Sequence, residues 1–103
     1  MKLYHVYVLK SKTKNFLYTG FTRSLRKRLQ KHNSKEVLST KFYDPFELIF
    51  YEAYRNKKDA KRREKYFKTT KGKTTLKSML KEYFLEKGQS PGSPSLPANH
   101  IIP

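Results

Sequence analysis

The sequence predicts a single α/β domain in which a small mixed or antiparallel sheet of about three strands is flanked by three helices, in the order ββαβαα. Three observations support this prediction. The chain of 103 residues is long enough for one domain and too short for two ordinary ones. Two β-rich runs lie close together near the N-terminus. Helical spacing of apolar residues dominates the segments that follow.

The first predicted strand covers residues 3–9, where β-branched and aromatic residues are frequent. Side chains of a strand alternate between its two faces, so Val6 and Val8 share one face and Tyr7 lies on the other. The polar residues 11–15 are typical of a hairpin connection. We therefore expect the next strand to return beside the first.

The second predicted strand covers residues 16–21, with Tyr18 and Gly20 on a common face. Gly20 is expected to end this strand, because glycine permits either an unusual backbone angle or the close approach of a ligand. Tyr7 and Tyr18 are then expected to lie on neighbouring strands.

A first helix is expected to begin after Thr22 or Ser24 and to end near Asn33. At about 100° per residue, its apolar face includes two charged or titratable residues as well as two leucines. The residues of this face are Leu25, Arg28, Leu29 and His32. A lone arginine there would simply extend its stem over apolar surface. Because Arg28 and His32 are one turn apart, an anionic oxygen bound nearby would be within reach of both.

Pro45 follows the polar and basic loop of residues 34–44 and precedes a continuous apolar run at residues 46–54. Such a run favours a central strand that is covered on both sides.

A second helix is expected at residues 57–68, with Ala60, Glu64 and Phe67 on one face and a basic exterior. Glu64 is its one inward carboxylate. Residues 69–75 are expected to break this helix.

A third helix is expected from about Leu76, and its apolar stripe is interpreted as core. The stripe consists of Leu76, Met79, Leu80 and Tyr83. Residues 85–103 contain four of the five prolines of the chain and are expected to form a Pro/Gly/Ser-rich flexible tail, which leaves residues 1–84 as the domain.

Charge points to a polyanionic partner. The chain has 24 Lys and Arg residues against 8 Asp and Glu residues, a formal net charge of +16, and nucleic acid would relieve the resulting repulsion.

The chain has no cysteine, so a disulfide framework and a thiolate zinc site are excluded. The apolar run at the N-terminus is too short for a signal peptide or a membrane span, and a cytoplasmic protein is expected.

Five features in this order resemble the GIY-YIG nuclease domain, over about residues 2–84. They are Val6-Tyr7-Val8, Tyr18-Thr19-Gly20, Arg28-Leu29, His32-Asn33 and Glu64 in a Lys/Arg-rich helix. The chain is most similar to the small stand-alone members that resemble the nuclease module of the ABC excinuclease. The resemblance implies that Tyr7, Tyr18, Arg28, His32 and Glu64 are catalytic, that Glu64 binds the metal, and that Gly20 is the structural turn of the second motif.

The implied activity is a metal-dependent endonuclease that hydrolyses DNA phosphodiester bonds in DNA repair or recombination, with some selectivity for DNA structure. Glu64 would hold a single Mg²⁺ or Mn²⁺ ion, and the forked guanidinium of Arg28 would bind phosphate oxygens. Tyr18 would orient or deprotonate the attacking water, a role that a phenol fills only where nearby cations lower its pKa. Tyr7 and His32 are the second candidates for proton transfer or for holding the phosphate.

The alternative is a non-catalytic basic module that binds DNA or RNA and stacks bases on the aromatic residues of segments 41–43 and 65–68. For either function, branched, nicked or single-stranded DNA is the expected partner, with RNA as a further candidate. The residues expected to contact nucleic acid are Lys27, Lys31, Lys41, Arg62 and Lys65.

The position of Glu64 should separate the two functions. An enzyme requires its carboxylate to reach the surface that carries Tyr18 and Arg28, whereas a position across the sheet from them would contradict the mechanism.

Overall fold

The computed structural model describes residues 2–88, which form three strands and four helices. In chain order these are β1 (Tyr4–Ser11), β2 (Leu17–Thr22), α1 (Leu25–Asn33), β3 (Phe46–Tyr54), α2 (Lys57–Phe67), α3 (Thr70–Met79) and α4 (Lys81–Glu86). The predicted α/β class is confirmed, with one more helix among these residues than the sequence indicated.

The sheet is antiparallel throughout, in the order β2-β1-β3, so β1 is central. Tyr7 in β1 lies opposite Gly20 of β2 on one side and opposite Tyr51 of β3 on the other. The pairing of β1 with β3 shifts register between Val8 and Leu9. Central placement buries β1, and β2 and β3 are the two edges of the sheet. The prediction that residues 46–54 form a central strand is therefore wrong.

The two faces of the sheet are covered by different helices, as the alternation in β1 predicts. On one face the buried valines of β1 pack with Ala60 and Phe67 of α2. On the other face Tyr7 and Leu9 pack with the two leucines of α1. The sheet therefore separates α1 from α2.

The second helix ends before residues 69–75, as predicted, but the prediction that the next helix starts at about Leu76 is wrong, because α3 begins at Thr70. The side chain of Thr69 caps α3 by accepting a hydrogen bond from the backbone N–H of Gly72, with a separation of 3.0 Å. A Cβ atom at Gly72 would overlap the carbonyl oxygen of Tyr66. Glycine at this position thus lets α3 pack directly against the end of α2.

The early start of α3 changes the predicted C-terminal stripe. Leu76 is buried, as expected, but Met79, the last residue of α3, is 43% exposed. Phe84 of α4 is buried, and α4 extends two residues beyond the predicted domain boundary. The predicted tail from residue 89 onward lies outside the described residues.

Within residues 2–88, no helix has both the length and the apolar character needed to cross a bilayer.

Candidate active site

Gly20 makes room for the phenol of Tyr7. A Cβ atom at Gly20 would overlap Cζ and Oη of Tyr7, which lies directly opposite in the hairpin. The prediction that Gly20 turns the chain is wrong, because β2 continues to Thr22. The absence of a side chain at Gly20 serves close packing within the protein.

A chain of hydrogen bonds leads inward from α1 to the loop that precedes β3. Arg28 Nε donates to Tyr7 Oη at 3.4 Å, and Tyr7 Oη is 2.9 Å from His32 Nε2. His32 Nδ1 is 2.7 Å from Thr40 Oγ1, which donates to the carbonyl oxygen of Val37 at 3.4 Å.

We assign the directions in this chain so that each proton has an acceptor. A guanidinium N–H can only donate and a carbonyl oxygen can only accept. Tyr7 therefore donates its proton to Nε2 of His32, and His32 carries its own proton on Nδ1 and donates it to Thr40. We call these residues, Arg28, Tyr7, His32 and Thr40, the donor chain.

The interior of the donor chain is neutral. Tyr7 is 1% exposed and His32 is fully buried. Burial raises the pKa of Tyr7 to about 12, although the hydrogen bond from Arg28 acts in the opposite direction. Burial also lowers the pKa of His32 to about 4, and the charge of Arg28 adds to that effect. At neutral pH Tyr7 is thus a proton donor, and His32 is an uncharged acceptor.

The solvent side of the site is formed by Arg28 and Tyr18, which are both partly exposed. The ring of Tyr18 lies 6.2 Å from that of Tyr7 and 4.9 Å from that of His32, measured between centroids. Hydrogen bonding to Tyr7, and to a lesser extent to Tyr18, raises the pKa of Arg28. Direct contact with a substrate is therefore open to Tyr18 and Arg28, while Tyr7 and His32 lie beneath them.

Glu64 approaches from the other face of the sheet. It belongs to α2, in the same helical row as Ala60 and Phe67, and its side chain therefore faces the sheet. The preceding residue Arg63 bonds to β3, whereas Lys61 on the other flank of the helix lies 4.3 Å from the ring centroid of Phe21 in β2. Glu64 is on the same flank as Lys61, so it points toward the β2 edge.

The carboxylate of Glu64 is paired with Lys68 at 3.1 Å and with Lys61 at 3.6 Å, and its side chain is 15% exposed. Its charge is a minor cause of the raised pKa of Tyr7. The five predicted residues hence do not share one face of the sheet. Four lie on the α1 face, and α2 lies across the sheet from them, which contradicts the expectation that all five side chains meet on one surface. The carboxylate itself is directed to the β2 edge and acts on Tyr7 electrostatically.

Comparison with known proteins identifies the family. The model of the GIY-YIG catalytic domain matches residues 3–77. The chain belongs to the GIY-YIG family. The UPF0213 protein YazA of Bacillus subtilis is 42% identical over 82 residues, which are 79% of this chain and 76% of that protein. A UPF0213 protein of Staphylococcus haemolyticus is 37% identical over 83 residues, 80% of this chain and 99% of the relative. No solved structure was found to match the chain.

Residues 2–88 of the GIY-YIG domain contain no cluster of three or more His, Cys, Asp or Glu side chains that could bind a metal ion. Glu64 alone suits a hard cation such as Mg²⁺, which keeps several waters and binds through one or two carboxylates together with substrate phosphates. The donor set therefore fits an ion that is completed by the substrate. Such an ion has to replace the two lysines that now pair with Glu64.

The predicted nucleic-acid contacts of the GIY-YIG domain divide between the two faces of the sheet. Lys27 and Lys31 are exposed on α1, and Lys41 is half-buried in the loop before β3. Arg62 and Lys65 are exposed on α2, and Arg62 is paired with Asp59 at 3.2 Å. The structure therefore does not bring these five residues onto one face.

Two residues of the site were missed by the sequence analysis. Thr40 is fully buried and holds Nδ1 of His32, yet a threonine in a polar loop gives no signal of such a role. Asn33 was expected only to end α1. Its side chain accepts a hydrogen bond from Phe46 N at 2.6 Å and donates one to Phe46 O at 3.4 Å, which fixes the end of α1 to the start of β3.

Proposed function

We propose that this GIY-YIG domain is an endonuclease that hydrolyses DNA phosphodiester bonds with the help of one divalent ion, Mg²⁺ or Mn²⁺. The donor chain carries this proposal. It fixes one partly exposed arginine through a buried tyrosine and histidine, beside the partly exposed Tyr18. A module that only binds phosphates needs no such support, because flexible surface lysines serve equally well.

Arg28 binds the scissile phosphate in this proposal. Its Nε donates to Tyr7, and the guanidinium donors that Tyr7 and Tyr18 do not engage would donate to the non-bridging oxygens. Fixed donors stabilise the charge that develops in the transition state without reorganising. Tyr18, beside Arg28, orients the attacking water.

Tyr7, His32 and Thr40 act through Arg28. The high pKa of Tyr7 and the low pKa of His32 keep both groups neutral. Arg28 is therefore the charged member of the donor chain. Tyr7 is a positioning residue in this arrangement, and its proton remains on the phenol.

Glu64 would hold the divalent ion, which would supply Lewis-acid stabilisation of the phosphate charge. In this proposal the substrate phosphate would lie between Glu64 and Arg28. We also propose that the substrates are branched, nicked or single-stranded DNA in repair or recombination, because a domain this small has little surface for reading bases.

The test is cleavage of nicked, branched and single-stranded DNA in the presence of Mg²⁺ or Mn²⁺. Arg28→Ala and Glu64→Gln should each abolish cleavage while circular dichroism shows an intact fold. Arg28→Lys should also be inactive, since lysine keeps the charge but cannot form the fork. Glu82→Gln, which removes an exposed carboxylate of α4, is the matched control and should retain activity. A folded Glu64→Gln protein that cuts as fast as the wild type would refute the role of Glu64.

The second candidate function is a non-catalytic module that binds DNA or RNA. It is favoured by the two lysines that already neutralise Glu64 and by the position of α2 across the sheet from Arg28. A wild-type protein that binds every substrate in the cleavage assay and cuts none, with either ion, would establish this alternative.

A further inference from the structure

A cleft of about 430 Å³ opens on α2 and involves none of the five candidate catalytic residues. Its size falls within the range of about 300–1,000 Å³ that is usual for sites of small ligands. The residues that line it are Tyr54, Asp59, Arg62, Arg63 and Tyr66. We call it the α2 cleft. Because Arg63 and Tyr54 place it on the β3 side of the helix, it lies on the opposite flank of α2 from Glu64.

Both arginines of the α2 cleft are already paired with carboxylates. Arg63 binds Glu52 through two hydrogen bonds, at 2.9 and 3.1 Å, and Arg62 is 3.2 Å from Asp59. A site built for phosphate would keep a cation unpaired. The α2 cleft instead has compensated charges and aromatic walls, which suits a planar, uncharged group.

Tyr54 and Tyr66 provide rings for stacking. The guanidinium of Arg63 lies over two protein rings, 4.3 Å from the centroid of Phe67 and 5.5 Å from that of Tyr66. Its two bonds to Glu52 hold it in place. The hydroxyl of Tyr54 donates to Glu52 at 2.7 Å, so its ring is also fixed. Tyrosine rings and guanidinium planes are the surfaces on which proteins stack the bases of single strands.

The surroundings of the α2 cleft favour a ligand that carries a phosphate backbone. Within Lys57–Phe67, six Lys and Arg residues stand against two acidic residues. A neutral base inside the cleft and an anionic backbone along the helix would match this distribution of charge.

We propose that the α2 cleft binds one unpaired nucleobase of a single-stranded DNA segment. The choice of DNA rests on the proposed function. Glu64 and the α2 cleft lie on opposite flanks of one helix, whose diameter is about 10 Å. The strand that leaves the scissile phosphate therefore has to be unpaired within a short distance of the cut, which gives the enzyme its selectivity for DNA structure.

The experiment compares two single-stranded probes of equal length, oligodeoxythymidylate and an abasic backbone, bound to the full chain with a chelator present so that nothing is cut. The wild type should bind the base-bearing probe roughly 5- to 100-fold more tightly, the range expected for stacking on one aromatic site. Tyr54→Leu, checked for folding by circular dichroism, should remove most of this preference.

Two matched variants control for side effects. Tyr54→Phe keeps the ring and should keep the preference. Tyr51→Leu removes a tyrosine from the opposite face of β3, where its side chain is 53% exposed, and should also keep the preference. Equal binding of the two probes by the wild type would overturn the proposal, as would an unchanged preference in folded Tyr54→Leu.

A second measurement does not depend on variants. A probe that contains 5-iodouracil should crosslink on irradiation to Tyr54 or Tyr66 of the wild-type protein, and crosslinks mapped only to other segments would overturn the proposal. The outcome is separable from that of the cleavage test. A protein that cuts DNA without any base preference refutes the α2 cleft alone. One that prefers bases but cuts no substrate supports the cleft and refutes the nuclease.

Discussion

Replacement of Thr40 by valine tests the donor chain at its innermost link. Valine has nearly the shape of threonine but lacks the oxygen that accepts the proton of His32 Nδ1. Because His32 is fully buried, water cannot replace that acceptor. A buried donor left without a partner costs about 1–3 kcal/mol. For a domain of this size, each kcal/mol lowers the melting temperature by roughly 4–8 °C.

The alternative for the imidazole in Thr40→Val is to move its proton to Nε2. Tyr7 Oη would then receive donors from both His32 and Arg28, and its own proton would have no acceptor. Either response loosens Arg28, so DNA cleavage should fall together with stability. Thr40→Ser restores the hydroxyl and should recover most of both quantities.

Thermal unfolding, cleavage rates and the ¹⁵N chemical shifts of the His32 ring measure these effects. In the wild type the shifts should show a neutral ring that is protonated on Nδ1. The donor chain would be refuted by a Thr40→Val protein that is as stable and active as the wild type. A wild-type ring protonated on Nε2 would refute the assigned directions.

Three further predictions concern stability and charge. Because His32 has a pKa of about 4 when folded against 6.5 as a free side chain, the unfolded chain binds more protons between these values, and the contribution of His32 to the free energy of unfolding should fall by about 3 kcal/mol from pH 7 to pH 4. Chemical denaturation should show a smaller fall in His32→Gln, and equal falls would contradict the burial of a neutral ring. Gly20→Ala should lose about 1–3 kcal/mol by the same method, since its methyl group meets the Tyr7 phenol, and a variant of wild-type stability would show that the hairpin can yield. Deletion of residues 89–103, which contain no Lys, Arg, Asp or Glu, should leave DNA affinity and its linear dependence on log salt unchanged, and a large loss of affinity would contradict this account of binding.

Periodicity predicted the elements that depend on local pattern. The end of α1 at Asn33 and the bounds of β3 were confirmed, and the side chain of Asn33 additionally ties α1 to Phe46 of β3. The start of α3 was not predicted. It depends on the close contact of Gly72 with the end of α2, and a glycine among threonines and lysines is otherwise typical of a helix break.

The candidate site divides in the same way. Helical spacing placed Arg28 and His32 on one face of α1, and both were found in the donor chain. Spacing gave no information on the approach of Glu64 from the other face, because the packing of α2 depends on the whole sheet. The raised pKa of Tyr7 was not predicted either, because the net charge of the chain does not show which side chains are buried. Burial outweighs the nearby Arg28 at this position.

The contact between Gly20 and Tyr7 has a consequence for how the hairpin assembles. If β2 paired with β1 two residues out of alignment, Tyr18 or Thr22 would lie opposite Tyr7, and a side chain would occupy the place of the phenol. A shift of one residue would turn the faces of β2 over. Only the alignment that brings Gly20 opposite Tyr7 lets the phenol reach His32. The Tyr7 phenol, which positions Arg28, thus also disfavours misaligned pairing of β1 and β2. A molecule that has folded with the wrong strand pairing is expected to be inactive.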